Sequence, residues 1–269
     1  MRTSTTRHPT LLRHARAIVA GLALVAGIAA ASSTSSDQSD LWWNPAESGW
    51  GIQFIQQYNT IFATMFVYAA SGQPEFYGAV LERGAGLTWS GKVYRSTGPW
   101  WGGVFNPATV VESEVGTMSW QAQTLTSGRL EYTISGVNVV KQIERMSFAN
   151  DHLGASYAGN ARHDAIAGVC PSTGPTTASV QFTHGGGATA SATLVIGARS
   201  CAMATGNYRQ QGQFGQVYGP HTCTDGETGS AQIFEIELAV DTITFRYDYS
   251  GNGPGGICRV VGYFAGVRQ

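Results

Sequence analysis

The chain has 269 residues, of which only 12% are charged and 35 are glycine, roughly twice the usual glycine share. With 43% apolar residues it can bury a core, so bulk disorder is excluded, and the sparse charge leaves no basic patch to condense on phosphate, which excludes nucleic acid as a partner.

The first element is an export signal. Arg2, Arg7, Arg13 and Arg16 precede an unbroken apolar stretch from Ala17 to Ala30, and Ala29-Ala30-Ala31 offers a small-residue cleavage site. The stretch is too short for a membrane helix, and no apolar run of that kind follows, so the mature chain has no transmembrane segment. Removing residues 1–31 takes four Arg and no acid, leaving 12 basic against 17 acidic residues and a formal charge of −5. A secreted or periplasmic location follows. Ser32–Asp40 reads as a disordered polar leader.

From Leu41 the pattern has period two. Met118, Trp120 and Ala122 alternate with polar residues, as do Leu130, Tyr132 and Ile134, which predicts strands with one wet face. Ile61–Tyr68 is apolar at nearly every position and predicts a strand covered on both sides. Ser71-Gly72, Gly84-Ala85-Gly86 and Ser127-Gly128 fall at hairpin spacing. Residues 150–177 lose the alternation and read as a connector. Alternation resumes with Phe234, Ile236, Leu238 and Val240, turns at Asp241, and continues through Ile243, Phe245, Tyr247 and Tyr249. The fold class is therefore all-β: two small antiparallel meander units, each an up-and-down barrel or a sandwich, over residues 41–149 and 178–269.

Cys170, Cys201, Cys223 and Cys258 form an even set in an exported chain and read as two disulfides. Three pairings are possible; Cys170–Cys201 with Cys223–Cys258 is favoured, because each closes a loop among neighbouring strands. No C-x-x-C, H-x-H or H-E-x-x-H string is present, so neither a metal nor a cofactor is expected. Asp225-Gly226-Glu227 offers hard oxygens to Ca²⁺ but lacks the ligand count of a calcium loop.

Leu41-Trp42-Trp43-Asn44-Pro45-Ala46-Glu47-Ser48-Gly49-Trp50-Gly51, followed by Thr60–Tyr68 and Gly72-Gln73-Pro74, resembles the W-[WY]-N-P-x-E-S-G-W-G opening of a group of exported Gram-negative bacterial proteins. Thr222-Cys223-Thr224-Asp225-Gly226 and Gly266-Val267-Arg268 resemble the closing signature of the same group. The resemblance implies an exported β-protein and brings no activity with it. A smaller likeness, Trp43-Asn44 with Thr88-Trp89-Ser90-Gly91, is to avidin-type barrels, and implies ligand contacts at Asn44 and Trp89.

Two readings of the tryptophan motif compete. In one, Trp42, Trp43 and Trp50 plug a barrel end, with Glu47 bonded to turn amides. In the other they join Trp100 and Trp101 in a rim that stacks on a flat ligand. The second makes the protein a non-catalytic binder of a neutral glycan or small apolar molecule, through Trp42, Trp43, Asn44, Glu47, Trp50, Trp89, Trp100 and Trp101. The alternative is a structural or interaction protein that contacts another component of the cell envelope. A hydrolase is the third possibility. Glu112 with Glu114, or Glu235 with Glu237, would be its acid pair. Ser156 would be its nucleophile, with His184-Gly185-Gly186-Gly187 as an oxyanion loop. The order of these esterase strings is reversed and no helix follows Ser156, so turns and solvated carboxylates explain them better.

Overall fold

A computed structural model describes residues 37–170 and 173–269; the expected export signal and the start of the expected leader lie outside them. The chain forms two closed barrels of eight antiparallel strands, each strand paired with the next. The first comprises β1 (Asp40–Trp43), β2 (Gly51–Gln57), β3 (Thr60–Tyr68), β4 (Pro74–Arg83), β5 (Thr88–Thr97), β6 (Val111–Ala122), β7 (Ser127–Ile134) and β8 (Val137–Arg145). The second comprises β9 (Ala155–Gly168), β10 (Thr173–Thr183), β11 (Thr189–Ile196), β12 (Arg199–Gln211), β13 (Phe214–Cys223), β14 (Thr228–Leu238), β15 (Thr242–Gly253) and β16 (Gly256–Arg268). Closure comes from Trp42 and Trp43 opposite Arg145 and Glu144 in one barrel, and from β16 along β9 in the other. Barrels, not sandwiches, remove every sheet edge.

Alternation decides what fills each interior. Ile52, Phe54, Ile61, Met65, Leu81, Trp89, Met118, Trp120 and Leu130 point into the first barrel and are buried. Gly128 lies within β7 rather than in a turn, and the position demands glycine because a Cβ there would lie 2.3 Å from the Trp120 ring. In the second barrel Ile243, Phe245, Tyr247 and Tyr249 face inward as the sequence predicts. β14 departs from strict alternation: Glu235 has φ +49° and the register with β15 shifts between Phe234 and Glu237. This bulge sends Ile233 and Ile236 inward while Phe234 packs with Leu125 and Phe214.

Two boundaries differ from the sequence reading. Residues 150–177 are not a connector throughout, since 155–168 and 173–177 belong to β9 and β10. Their inward residues include Tyr157, Ala161 and His163, and this small and polar mixture hides the period-two signal. The end of the leader is ordered as well. Gln38 is buried and accepts from the indoles of both Trp42 and Trp120, through its carbonyl at 2.9 Å and its side-chain oxygen at 3.1 Å.

The disulfides are Cys170–Cys258 and Cys201–Cys223, not the favoured pairing. Cys201 lies directly opposite Cys223 on adjacent strands, and Cys258 opposite Gly168 near the β9–β10 turn. Cross-strand neighbours, rather than neighbours in sequence, set the pairs. Among the described residues no helix is long and apolar enough to cross a membrane.

The barrels meet around Arg145. Its side chain is fully buried and pairs with Asp40 at 3.0 Å. It also donates to the carbonyls of Leu125, Ser39 and Asp37, and its guanidinium lies between the rings of Trp42 and Phe214. The same Asp40 carboxylate accepts from the backbone of Gln213 in the β12–β13 turn.

Candidate functional site

The up-and-down topology places the turns after β1, β3, β5 and β7 at one end of the first barrel. The other end carries Arg145 and Gln38. Around an eight-strand circle, the β1–β2 and β5–β6 loops stand on opposite sides of the open rim. Both contain the same local device. Asn44 caps a 3-10 turn over Pro45–Glu47 by accepting from the Ala46 amide at 3.0 Å, and Asn106 caps Pro107–Thr109 through the Ala108 amide at 3.1 Å. Asn44 is therefore occupied in shaping its own turn.

The tryptophans divide into three groups. Trp42 and Trp89 are 0% exposed and belong to the packed interior with Trp120, out of reach of a ligand. This corrects the expectation that Trp42 lines a rim and that Trp89 lies open to a ligand. Indole-to-indole packing of Trp42 and Trp120 at 4.6 Å fills the closed end, and Arg83 stacks on Trp89. Trp43 and Trp50 are half-buried. Trp50 packs on the core and donates to Glu47 at 3.1 Å, while Glu47 also accepts from Lys141 at 2.7 Å. Lys141 holds the Glu47 carboxyl below the usual range by this bond, against partial desolvation and with help from the Trp50 indole. The motif is thus tied to β8, with Glu47 bonded to a side-chain lysine and an indole rather than to turn amides. Trp100 and Trp101 are different: they are 71% and 87% exposed, 6.2 Å apart, on the long β5–β6 loop. Gly102 makes this possible, because a Cβ there would strike the Trp100 ring at 2.3 Å.

The outer wall next to this rim carries a feature the sequence reading missed. The inward residues Ile61, Ala63 and Met65 of β3 are buried, but outward Phe62, Phe66 and Tyr68 are open to solvent, so β3 is not covered on both sides. Phe66 stands opposite Phe76 of β4, and Phe62 opposite Val80. Two grooves that share Phe76 run along this wall. One, of about 260 Å³, lies between Gly49, Phe66, Tyr68, Glu75 and Phe76. The other, of about 270 Å³, adds Phe62, Thr64, Tyr94, Ser96 and Glu112. Gly49 has φ +122°, a backbone conformation that favours glycine, and Tyr68 lies in ordinary contact range of it. Glu75 is anchored by Arg95 at 3.0 Å and by the Tyr77 hydroxyl at 2.6 Å; that bond, with burial, raises the Tyr77 pKa. The signal available in the sequence was the phenylalanine repeat on the outward register of β3.

The acid–base candidates are not brought together. Glu112 and Glu114 are exposed on β6, and Glu114 pairs with Lys92 at 2.7 Å. Glu235 sits in the β14 bulge beside Arg246, and burial raises the Glu237 carboxyl with Asp37 and Glu235 adding repulsion. Ser156 is exposed within β9 rather than on a strand-to-helix turn. His184 caps its own turn, accepting from the Leu153 amide at 3.3 Å and bonding the Gly187 carbonyl at 3.0 Å. The Asp225 and Glu227 carboxylates are both taken by Arg199 at 2.8 Å, an arrangement for a guanidinium and not for calcium. Glu227 also bonds the buried His221 at 3.1 Å, and Arg199 donates to the Tyr249 hydroxyl at 2.5 Å. This network inside the second barrel had no sequence signal beyond isolated residues. Comparison of the chain with protein-family models, curated proteins and solved structures gave no match.

Proposed function

We propose that the protein is a non-catalytic binder of a neutral glycan, which lies along the aromatic wall of β3 and β4 and reaches Trp100 and Trp101 at the rim. The observation that carries this reading is the exposure of Phe62, Phe66 and Phe76, each about half open to solvent on one continuous face. Contiguous exposed apolar surface is uncommon on a soluble protein unless it contacts something. Flat rings favour the apolar faces of sugars, and the hydroxyls of Thr64, Tyr94 and Ser96 with the carboxylates of Glu75 and Glu112 supply partners for sugar hydroxyls. The low charge of the chain accords with a neutral ligand. The buried side chains that fill the first barrel support a site on its outer wall rather than inside it. Two disulfides accord with an exported, oxidising compartment.

Tryptophan fluorescence tests the reading. Acrylamide should quench the exposed Trp100 and Trp101 and leave Trp42, Trp89 and Trp120 dark to it. A mixture of neutral oligosaccharides should then protect the quenchable fraction. Quenching that no oligosaccharide reduces would count against a glycan. Aliphatic Ile55 and Val80 on the same wall favour a second reading, contact with another envelope protein.

A further inference from the structure

The second barrel holds a group of donors that its oxidised form keeps closed. Cys201 and Cys223 point inward from β12 and β13, and His221 lies on the same face of β13 two residues before Cys223. A ring nitrogen of His221, the Cys223 Sγ and a carboxylate oxygen of Glu227 all lie within 4.8 Å of one another, and all three residues are buried. His221 Nε2 faces Glu227 Oε1 at 3.1 Å, while its Nδ1 is buried with no hydrogen-bond partner. Beside them is an apolar cavity of about 50 Å³, lined by Cys201, His163, Leu194, Tyr247 and Tyr249 among others. Buried polar atoms are rarely left unsatisfied without a reason.

We infer that Cys201–Cys223 is a reducible disulfide whose opening creates a buried Zn²⁺ site from Cys201, Cys223 and His221, oriented by Glu227. A dithiol reductant delivers two electrons and two protons to the S–S bond, giving two thiols and leaving as its own disulfide. Zn²⁺ then displaces the two thiol protons to solvent and is held by two thiolates and the imidazole, a donor set that suits this ion. Glu227, accepting from the other ring nitrogen, fixes the tautomer that leaves Nδ1 free to ligate. Arg199 in turn fixes Glu227 through the 2.8 Å bond to its second oxygen. The cavity provides space for a fourth ligand, a water. In the oxidised state the sulfurs are spent on each other and no ion can bind.

Co²⁺ titration tests this directly. The full chain carrying Cys170→Ser and Cys258→Ser, reduced with a phosphine under nitrogen, should show thiolate-to-cobalt and tetrahedral ligand-field bands that saturate at one Co²⁺ per chain. The oxidised protein should show neither band. His221→Gln should weaken binding by more than about tenfold and Glu227→Gln by about 10–100-fold. If the serine background does not fold, as read by circular dichroism, the reduced natural chain and its Cys201→Ser variant serve instead. Absence of both bands after reduction, or bands undiminished by His221→Gln or Cys201→Ser, would overturn the inference.

Discussion

Substitution of Arg145 by methionine tests how the two barrels are joined. The side chain is fully buried and paired with an Asp40 carboxylate that is itself 8% exposed. Burial pushes the Arg145 pKa down, and Asp40, Asp37 and Glu235 oppose that push. Methionine keeps much of the stem but removes the charge, the donors to Leu125, Ser39 and Asp37, and the cation between Trp42 and Phe214. Removing one partner of a buried pair costs about 3–5 kcal/mol, because the other charge is stranded. Asp40 retains the Gln213 amide at 2.9 Å, so the lower part of that range applies, about 3 kcal/mol. For a chain of this size that corresponds to a Tm lower by about 6–12 °C. Urea unfolding, followed by tryptophan emission, reads the loss, since the guanidinium sits 4.5 Å from the Trp42 ring. Adding Asp40→Leu should recover part of it by removing the stranded carboxylate. A loss under about 1 kcal/mol, or no recovery in the double variant, would refute the claim that this pair bolts the barrels together.

Three other outcomes follow from the geometry. Trp120→Ala should destabilise the first barrel by about 3–5 kcal/mol, whereas Trp101→Ala should change stability by less than about 0.5 kcal/mol, both read by chemical denaturation. Removing Cys170–Cys258, which spans 88 residues, should cost more than removing Cys201–Cys223, which spans 22, with loop-closure values of about 4.6 and about 3.4 kcal/mol; a mass map of the unreduced protein checks the pairing itself. Burial raises the Asp225 carboxyl, but bonds from Arg199 and the Glu227 amide outweigh it, so its folded pKa lies below the ordinary carboxylate value. The stability it contributes is present above that ordinary value and is lost as pH falls through the folded one. An NMR titration showing Asp225 at or above the ordinary value would contradict the network.

The all-β class and the two antiparallel meander units could be read from alternation, because one wet and one dry face is what a barrel wall requires; the closure and the eight strands of each could not. Ile243–Tyr249 shows this plainly, with four large residues on one register. β9 was illegible because, apart from Tyr157, its inward positions hold a histidine and small residues, which fit the narrow interior without announcing it. The disulfides were misassigned because sequence distance says nothing about which strands lie side by side. For the candidate site, the sequence marked the tryptophans but not their direction. Trp42 and Trp43 are adjacent in a strand, so one must point inward and the other out, and only register decides which. Trp100 and Trp101 escape this rule because they stand on a loop. The phenylalanines of β3 were visible, yet their outer face was read as covered, since nothing in a strand's sequence tells whether a second layer exists.

Affinity electrophoresis through gels containing neutral polysaccharides measures the central claim most directly, comparing the natural chain with a Phe66→Ser/Phe76→Ser variant and with Trp100→Ala/Trp101→Ala. The natural chain should be retarded by at least one such glycan, and each double variant should lose about tenfold or more in affinity while keeping its circular dichroism. Equal retardation of all three, or migration of the natural chain unchanged by every glycan, would contradict binding at the aromatic wall.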